Sequence, residues 1–125
     1  MFISEEERKK SKNTEYLEFQ ICKNKYDINA AVKVENIVNY RNDSLYLDFD
    51  LYQRVFLKYI YLFDDSFHNN RMYGEMDCYG INYYDKEKAR KIKDKILNEN
   101  IYDLFELQDF LNESIKNNGF YILGI

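Results

Sequence analysis

The single histidine of the chain, His68, follows Asp64 and Asp65 in the segment FDDSFHNN. Imidazole and carboxylate groups can bind zinc, and a histidine is also the base that a serine or cysteine nucleophile needs. A zinc site requires further ligands that the sequence does not indicate, and no serine occurs in a G-x-S-x-G pattern. The surrounding residues predict a polar loop over 64–71, so we interpret His68 as a solvated loop histidine.

Two pairs of carboxylates are spaced so that each pair shares one face of a strand: Asp48 with Asp50, and Glu75 with Asp77. Such pairs can hold Mg²⁺ or act as acid and base, which keeps a small metal-dependent hydrolase using these acids or His68 as an alternative function. A nuclease-like site usually also has a nearby lysine, and neither pair is followed by one. We therefore expect solvated carboxylates, no catalytic residue, no metal and no cofactor.

The two cysteines, Cys22 and Cys78, lie too far apart in sequence to form a metal-binding pair. Each falls in a predicted strand, where a free cysteine packs as a small apolar side chain. We expect both thiols to be buried, unpaired and inert. No signal-peptide pattern and no apolar run of the ~20 residues needed to cross a membrane is visible, so we expect a cytoplasmic protein that does not bind membranes.

The composition favours one globular domain that does not bind nucleic acid directly. Apolar residues make up 46% of the 125 residues, which is enough for a core, and the net charge of −4 lacks the basic excess of a general nucleic-acid binder. Tyrosine is enriched at protein interfaces, and the chain has 13. A low-GC genome would also favour tyrosine, however, so this enrichment alone does not indicate binding.

The first half of the chain contains clear strands and two ambiguous segments. Alternating apolar and polar residues predict strands over 16–22 and 45–50. Residues 26–34 favour a strand, with a helix starting at Asp27 as the alternative. Residues 51–63 fit a helical stripe and an alternating pattern equally, and their β-forming residues slightly favour a strand.

The ends of the chain and its second half complete the predicted fold. Ser4 and Glu7 fit a capping box, so residues 4–15 are predicted to form either a frayed tail or a short surface helix. The remaining predicted elements are a strand over 72–84 with bends at Gly74 and Gly80, a helix over 86–97 capped by Asp85, a helix over about 101–117 ended by Gly119 in the left-handed conformation, and a strand over 120–123. This order predicts an α+β fold, a largely antiparallel sheet with two helices packed on one face, in a single domain over 1–125.

The two predicted helices carry opposite charges. The acidic stripe consists of the five acids in and just before the second helix, in a segment from 99 to 113 that has no base: Glu99, Asp103, Glu106, Asp109 and Glu113. At 100° per residue they lie within an arc of about 120° opposite the leucines. The preceding helix carries six bases between Lys86 and Lys95. Like charges at helical spacing repel one another, so we expect a positive charge to offset them. The stripe therefore either pairs with the neighbouring basic helix or faces a basic partner.

The segments MYGEMDCYGINYYDKEKARKIKDKI and FLNESIKNNGFYILGI resemble small bacterial immunity proteins of polymorphic-toxin systems. The resemblance extends over residues 45–125 and includes the layout of strands, a helix pair and a short aromatic C-terminal strand. It implies a cytosolic inhibitor that neutralises a cognate toxin by occluding its active site or substrate entry, with no catalytic residues of its own. It also implies a protein partner, a basic toxin or nuclease domain.

The partner-binding residues expected from the sequence are the acidic stripe together with exposed tyrosines as anchors. Aromatic anchors usually carry most of the energy of an interface, while charges set the association rate. The tyrosines selected as candidates are Tyr79, Tyr83 and Tyr84. The small size and acidity of the chain also fit an alternative function, a phage-encoded inhibitor of a bacterial defence nuclease of the anti-CRISPR type.

Overall fold

A computed structural model describes residues 1–124. Seven strands form one antiparallel sheet: β1 (Phe2–Ser4), β2 (Tyr16–Ile21), β3 (Leu45–Asp48), β4 (Ser66–His68), β5 (Tyr73–Gly74), β6 (Ile81–Tyr84) and β7 (Phe120–Leu123). The helices are α1 (Glu5–Lys10), α2 (Ile28–Ala31), α3 (Phe49–Arg54), α4 (Lys86–Asn98) and α5 (Gln108–Lys116), with 3₁₀ helices at Val34–Asn36, Phe56–Phe63 and Tyr102–Leu107. The predicted α+β class with an antiparallel sheet is confirmed.

The strand order across the sheet is β1-β3-β2-β7-β6-β4-β5. The C-terminal strand β7 is central, because it pairs with β2 on one side and β6 on the other. Ile122 of β7 thus lies opposite both Phe19 and Asn82. The strands predicted over 16–22 and 120–123 are present as β2 and β7 at nearly the predicted bounds.

The main core lies on one face of the sheet, where α3, α4, α5 and two of the 3₁₀ helices pack. Phe19 is fully buried there, with its ring edge-to-face against Phe56, Phe63 and Phe110. Helix α4 begins where Asp85 accepts a hydrogen bond from the Lys88 backbone N–H at 2.9 Å, as predicted. The helices on this face are therefore more numerous than the predicted two.

The opposite face is covered by the segment 23–40 and, near β3, by α1. A smaller apolar cluster there includes Tyr83 and Tyr121, and the Tyr121 hydroxyl donates to the Ala31 carbonyl at 2.6 Å. The buried Glu18 carboxylate accepts a hydrogen bond from the Ser44 hydroxyl at 2.7 Å. Both faces of the central strands are consequently closed to solvent.

Two segments predicted as strands are helical. In 26–34, Asp27 accepts from the Ala30 backbone N–H at 2.9 Å and starts α2, so the alternative helix is correct. In 51–63, Asp48 caps α3, and a 3₁₀ helix follows it. The helical stripe prevails there because it buries Tyr52, Phe56 and Phe63 on the sheet, whereas propensity alone carries little weight against such burial.

Three further predictions need correction. The loop predicted over 64–71 contains β4. The strand predicted over 72–84 is divided into β5 and β6 by a turn, in which the Asp77 carboxylate accepts from the Tyr79 backbone N–H at 2.9 Å. The helix predicted over 101–117 begins as a 3₁₀ helix and becomes α-helical only from Gln108.

The N-terminal segment is ordered rather than frayed. The capping box of Ser4 and Glu7 is present and starts α1, which confirms the short-helix alternative, and β1 was not predicted. Gly119 has φ +87°, the predicted left-handed conformation, and a Cβ there would lie 2.0 Å from the Tyr84 carbonyl oxygen. Within residues 1–124, every helix is too short or too polar to cross a membrane.

Candidate functional site

A groove of about 670 Å³ runs between α5 and the adjacent ends of β2 and β3. We call it the acidic groove, and its lining residues are Ile21, Lys23, Asp43, Leu45, Glu106, Asp109, Phe110, Glu113 and Asn117. Three of the five acids of the predicted stripe are among them. The groove therefore combines an acidic wall with apolar side chains from the sheet.

The floor of the groove is apolar because β2, β3 and α5 turn core residues toward it. Phe19 pairs with Leu45, and Ile21 lies two residues beyond on the same face of β2. Phe110 comes from the first turn of α5, between the acids that precede and follow it. Ile21 and Phe110 are 5% and 6% exposed and Leu45 is half-buried, so a ligand in the groove would contact hydrocarbon.

The carboxylates of the wall differ in how far they are already paired. Within residues 1–124, the Asp109 carboxylate has neither an ion-pair partner within 4 Å nor a hydrogen-bond partner. Glu113 pairs with the exposed Lys116 at 3.4 Å. Glu106 accepts from the Phe2 backbone N–H at 2.6 Å and lies 3.2 Å from the N-terminal ammonium. Asp109 is thus the acid most available to an external cation.

Asp43 supplies a fourth carboxylate from outside the stripe. The Lys23 ammonium lies 2.6 Å from the Asp43 carboxylate, and the Nε atom of Arg41 lies 3.4 Å from it. Partial burial opposes ionisation of Asp43, but the hydrogen bond and charge of Lys23, with that of Arg41, hold its pKa below the usual value. The groove therefore already holds one lysine ammonium against a wall carboxylate.

The other two acids of the stripe lie outside the groove. Glu99 accepts from the Tyr61 hydroxyl at 2.8 Å, and Asp103 accepts from the Tyr59 hydroxyl at 2.6 Å. These hydrogen bonds raise the pKa of each phenol, because they favour the protonated donor. Tyr102, 73% exposed, adds a further aromatic ring to this end of the stripe.

The expected pairing of the stripe with the preceding basic helix is not formed. Within residues 1–124 the ion pairs of the α4 bases are Lys88 with Asp65, at 3.9 Å, and Arg90 with Glu87 on the same helix. The stripe acids instead contact tyrosines, the N-terminal residues and Lys116. The alternative in which the stripe pairs with the basic helix is therefore wrong within these residues, although α4 and α5 both supply apolar residues to the main core.

Two of the three tyrosines proposed as exposed anchors are buried. Tyr83 is 9% exposed and donates to the Asn118 carbonyl at 2.5 Å, and Tyr84 is 1% exposed and donates to the Phe63 carbonyl at 2.6 Å. Burial raises the pKa of both hydroxyls. Both belong to β6, an internal strand whose two faces are covered. Tyr79, in the turn before β6, is 69% exposed, as expected.

Sequence patterns missed several residues of this surface. Lys23, Asp43 and Leu45 reach the groove from loops and strand ends, and no local spacing links them to residues 106–113. Tyr59 and Tyr61 were missed because their segment was predicted as a strand. Tyr59 belongs to the helical stripe in 51–63, and in the structure both tyrosines lie in the 3₁₀ helix Phe56–Phe63, from which their hydroxyls reach Asp103 and Glu99.

Three of the residues with catalytic potential, Asp48, Asp50 and His68, make contacts within the fold. Asp48 caps α3, and Asp50 pairs with Arg54 at 2.8 Å. His68 is half-buried in β4, not in a solvated loop, and its Nε2 atom lies 2.7 Å from the hydroxyl of the fully buried Ser66. In the described part of the chain, no three His, Cys, Asp or Glu residues are grouped as metal ligands.

Both cysteines are free thiols, as predicted. Cys22 is buried just beyond the end of β2, and this burial raises its pKa. Cys78 is half-buried in the turn between β5 and β6, so both its predicted burial and its predicted place in a strand are wrong.

Comparison of the chain with protein-family models, with curated protein sequences and with solved structures found no match.

Proposed function

We propose that this protein is a cytoplasmic inhibitor of the immunity-protein type, which neutralises a basic toxin or nuclease domain by covering its active site or substrate entry. It acts by binding and performs no turnover. The observation that carries the proposal is the acidic groove, in which Glu106, Asp109 and Glu113 border an apolar floor without neutralisation by the α4 bases. A basic surface on the partner complements this arrangement in charge and in polarity.

The acidic stripe has two different ends, and each end suits a different part of a basic partner. The groove end offers concave apolar surface, and the end at Glu99 and Asp103 offers Tyr61 and Tyr102 as exposed rings. Exposed tyrosines next to carboxylates suit a partner rich in arginine and lysine, because the rings contact the stems and the carboxylates bind the charges. A partner covering both ends would have its own basic active-site surface occluded.

Co-expression in bacteria with the product of the neighbouring gene tests the proposal. We expect the neighbouring protein to arrest growth on induction and this chain to restore growth. The variant carrying Asp109→Lys and Glu113→Lys should fold and fail to restore growth. A neighbouring protein without toxicity, or full rescue by this variant, would contradict the proposed function or its site.

The matched control reverses the charge of two exposed acids outside the acidic groove. Glu35 and Asp94 are exposed and, within residues 1–124, lie in no ion pair. The Glu35→Lys, Asp94→Lys variant changes the net charge by the same amount as the groove variant. Rescue by this control together with failure of the groove variant would assign the effect to the groove and not to overall charge.

A further inference from the structure

We propose that the acidic groove binds a basic segment by holding a lysine or arginine side chain along its length. The methylene stem lies on Ile21, Leu45 and Phe110, and the cationic head contacts Asp109 and Glu113. This inference rests on the proposed function, since it names the part of the partner that enters the site. It replaces a general attraction between charged surfaces with recognition of one kind of side chain.

The combination of an apolar floor with an acidic wall selects this occupant. Lysine and arginine bury their methylene stems on apolar surface while they keep the charge at a polar edge. A small cation would leave the floor uncovered, and an apolar side chain would desolvate the wall carboxylates without a partner, which is unfavourable. Phosphate groups of nucleic acid would be repelled by the four carboxylates that line the groove.

The chain itself already places one lysine ammonium against a carboxylate of the groove. Lys23 lines the groove and places its ammonium 2.6 Å from the Asp43 carboxylate. The side chains of this pair are 45% and 37% exposed, so the pair contributes little to stability and an incoming cation can displace Lys23. The ion pair of Lys116 with Glu113, at 3.4 Å, is also solvent-exposed, since the Lys116 side chain is 72% exposed. Asp109, on the same wall, has no such competitor among the described residues.

Synthetic peptides of equal charge separate stem recognition from charge attraction. The probe is a short oligolysine peptide, and the comparison peptide carries 2,4-diaminobutyrate at every lysine position, which shortens each stem by two methylenes. Titration at about pH 6 keeps both amines protonated. We expect the lysine peptide to bind about tenfold more tightly, from the methylenes of one stem buried on the floor. Equal affinities would overturn the inference, since charge alone would then explain binding.

Three variants locate the binding in the groove. Asp109→Asn with Glu113→Gln should weaken binding of the lysine peptide by about tenfold, because both head-group partners lose their charge. Lys23→Ser should strengthen it by about threefold, because the substitution removes a positive charge that lines the groove and leaves Asp43 without its lysine partner. The control variant, Glu35→Gln with Asp94→Asn, should bind as the unaltered protein does. Thermal melts confirm that each variant is folded.

The outcomes for this inference and for the proposed function are distinguishable. Unchanged peptide affinity in both the Asp109→Asn, Glu113→Gln variant and Lys23→Ser would overturn the inference, even if the chain rescues cells from the toxin. Groove-dependent peptide binding without any rescue would support the inference and contradict the proposed function. If the double variant does not fold, the gain expected for Lys23→Ser decides the matter, and its absence would overturn the inference.

Discussion

Glu106 accepts a hydrogen bond from the Phe2 backbone N–H at 2.6 Å, across 104 residues of sequence. This bond ties the edge strand β1 to the junction between the Tyr102–Leu107 helix and α5. The Phe2 ring packs edge-to-face on Phe19 and Phe56 in the main core, at centroid distances of 5.1 and 6.4 Å. Glu106 therefore serves the fold as well as the acidic groove, whereas Asp109 belongs to the groove alone.

This difference predicts that neutralising Glu106 destabilises the fold and that neutralising Asp109 does not. Glu106→Gln should lower the free energy of unfolding by roughly 1 kcal/mol, because a charge-assisted hydrogen bond at a partly exposed site is weakened. Asp109→Asn should leave it within about 0.5 kcal/mol of the unaltered value. Denaturant unfolding of both variants measures this. Equal destabilisation by the two substitutions would show that Asp109 has a structural partner.

A buried carboxylate on the other face of the sheet predicts acid sensitivity. The Arg8 side chain donates to Glu5 at 2.9 Å, and this bond, aided by the Tyr46 hydroxyl and opposed by burial, lowers the Glu5 pKa. Because the folded pKa is below the unfolded value of about 4.3, the stabilisation is present above that value and is lost as the pH falls through the folded pKa.

Unfolding of Glu5→Gln at several pH values tests this expectation. The variant should be less stable than the unaltered protein at about pH 7, and the difference should shrink as the pH falls below the unfolded pKa of about 4.3 and through the lowered folded pKa of Glu5. A difference that stays constant over this range would mean that the charge of Glu5 contributes nothing to the fold.

Gly119 predicts a severe backbone effect. Its φ of +87° is unfavourable for any L-residue, and a Cβ would meet the Tyr84 carbonyl oxygen at 2.0 Å. Gly119→Ala should lower the free energy of unfolding by roughly 2–4 kcal/mol or prevent folding. Gly74→Ala is the matched control, because its Cβ would lie 3.7 Å from the His68 ring, an ordinary contact. Thermal melts of similar midpoint for both variants would contradict this account.

Local signals in the sequence predicted an element correctly wherever a cap or a periodic pattern agreed with the burial of its side chains. Asp85 and the spacing of Ala89, Ile92 and Ile96 predicted α4 almost to its bounds. Alternation predicted β2, and β7 was predicted as a short final strand after the helix end at Gly119. The acids of the stripe were likewise visible as one face of a helix, and three of them line the groove.

Tertiary relationships account for what the sequence did not predict. The burial of Tyr83 and Tyr84 follows from the position of β6 between β7 and β4, with apolar layers on both faces, which no pattern inside β6 encodes. Lys23 and Asp43 become neighbours because the ends of β2 and β3 meet in the sheet. Residues 51–63 carry two periodicities at once, and packing against Phe19 selects the helical one.

The association rate of the purified chain with the neighbouring-gene toxin tests the central claim most directly. In Asp109→Lys, Glu113→Lys, we expect association to slow by about tenfold and to depend less steeply on salt, with the melting temperature nearly unchanged, because exposed groove charges steer the encounter. Unaltered association together with a lowered melting temperature would assign these acids to the stability of the fold, and would contradict a binding role for the acidic groove.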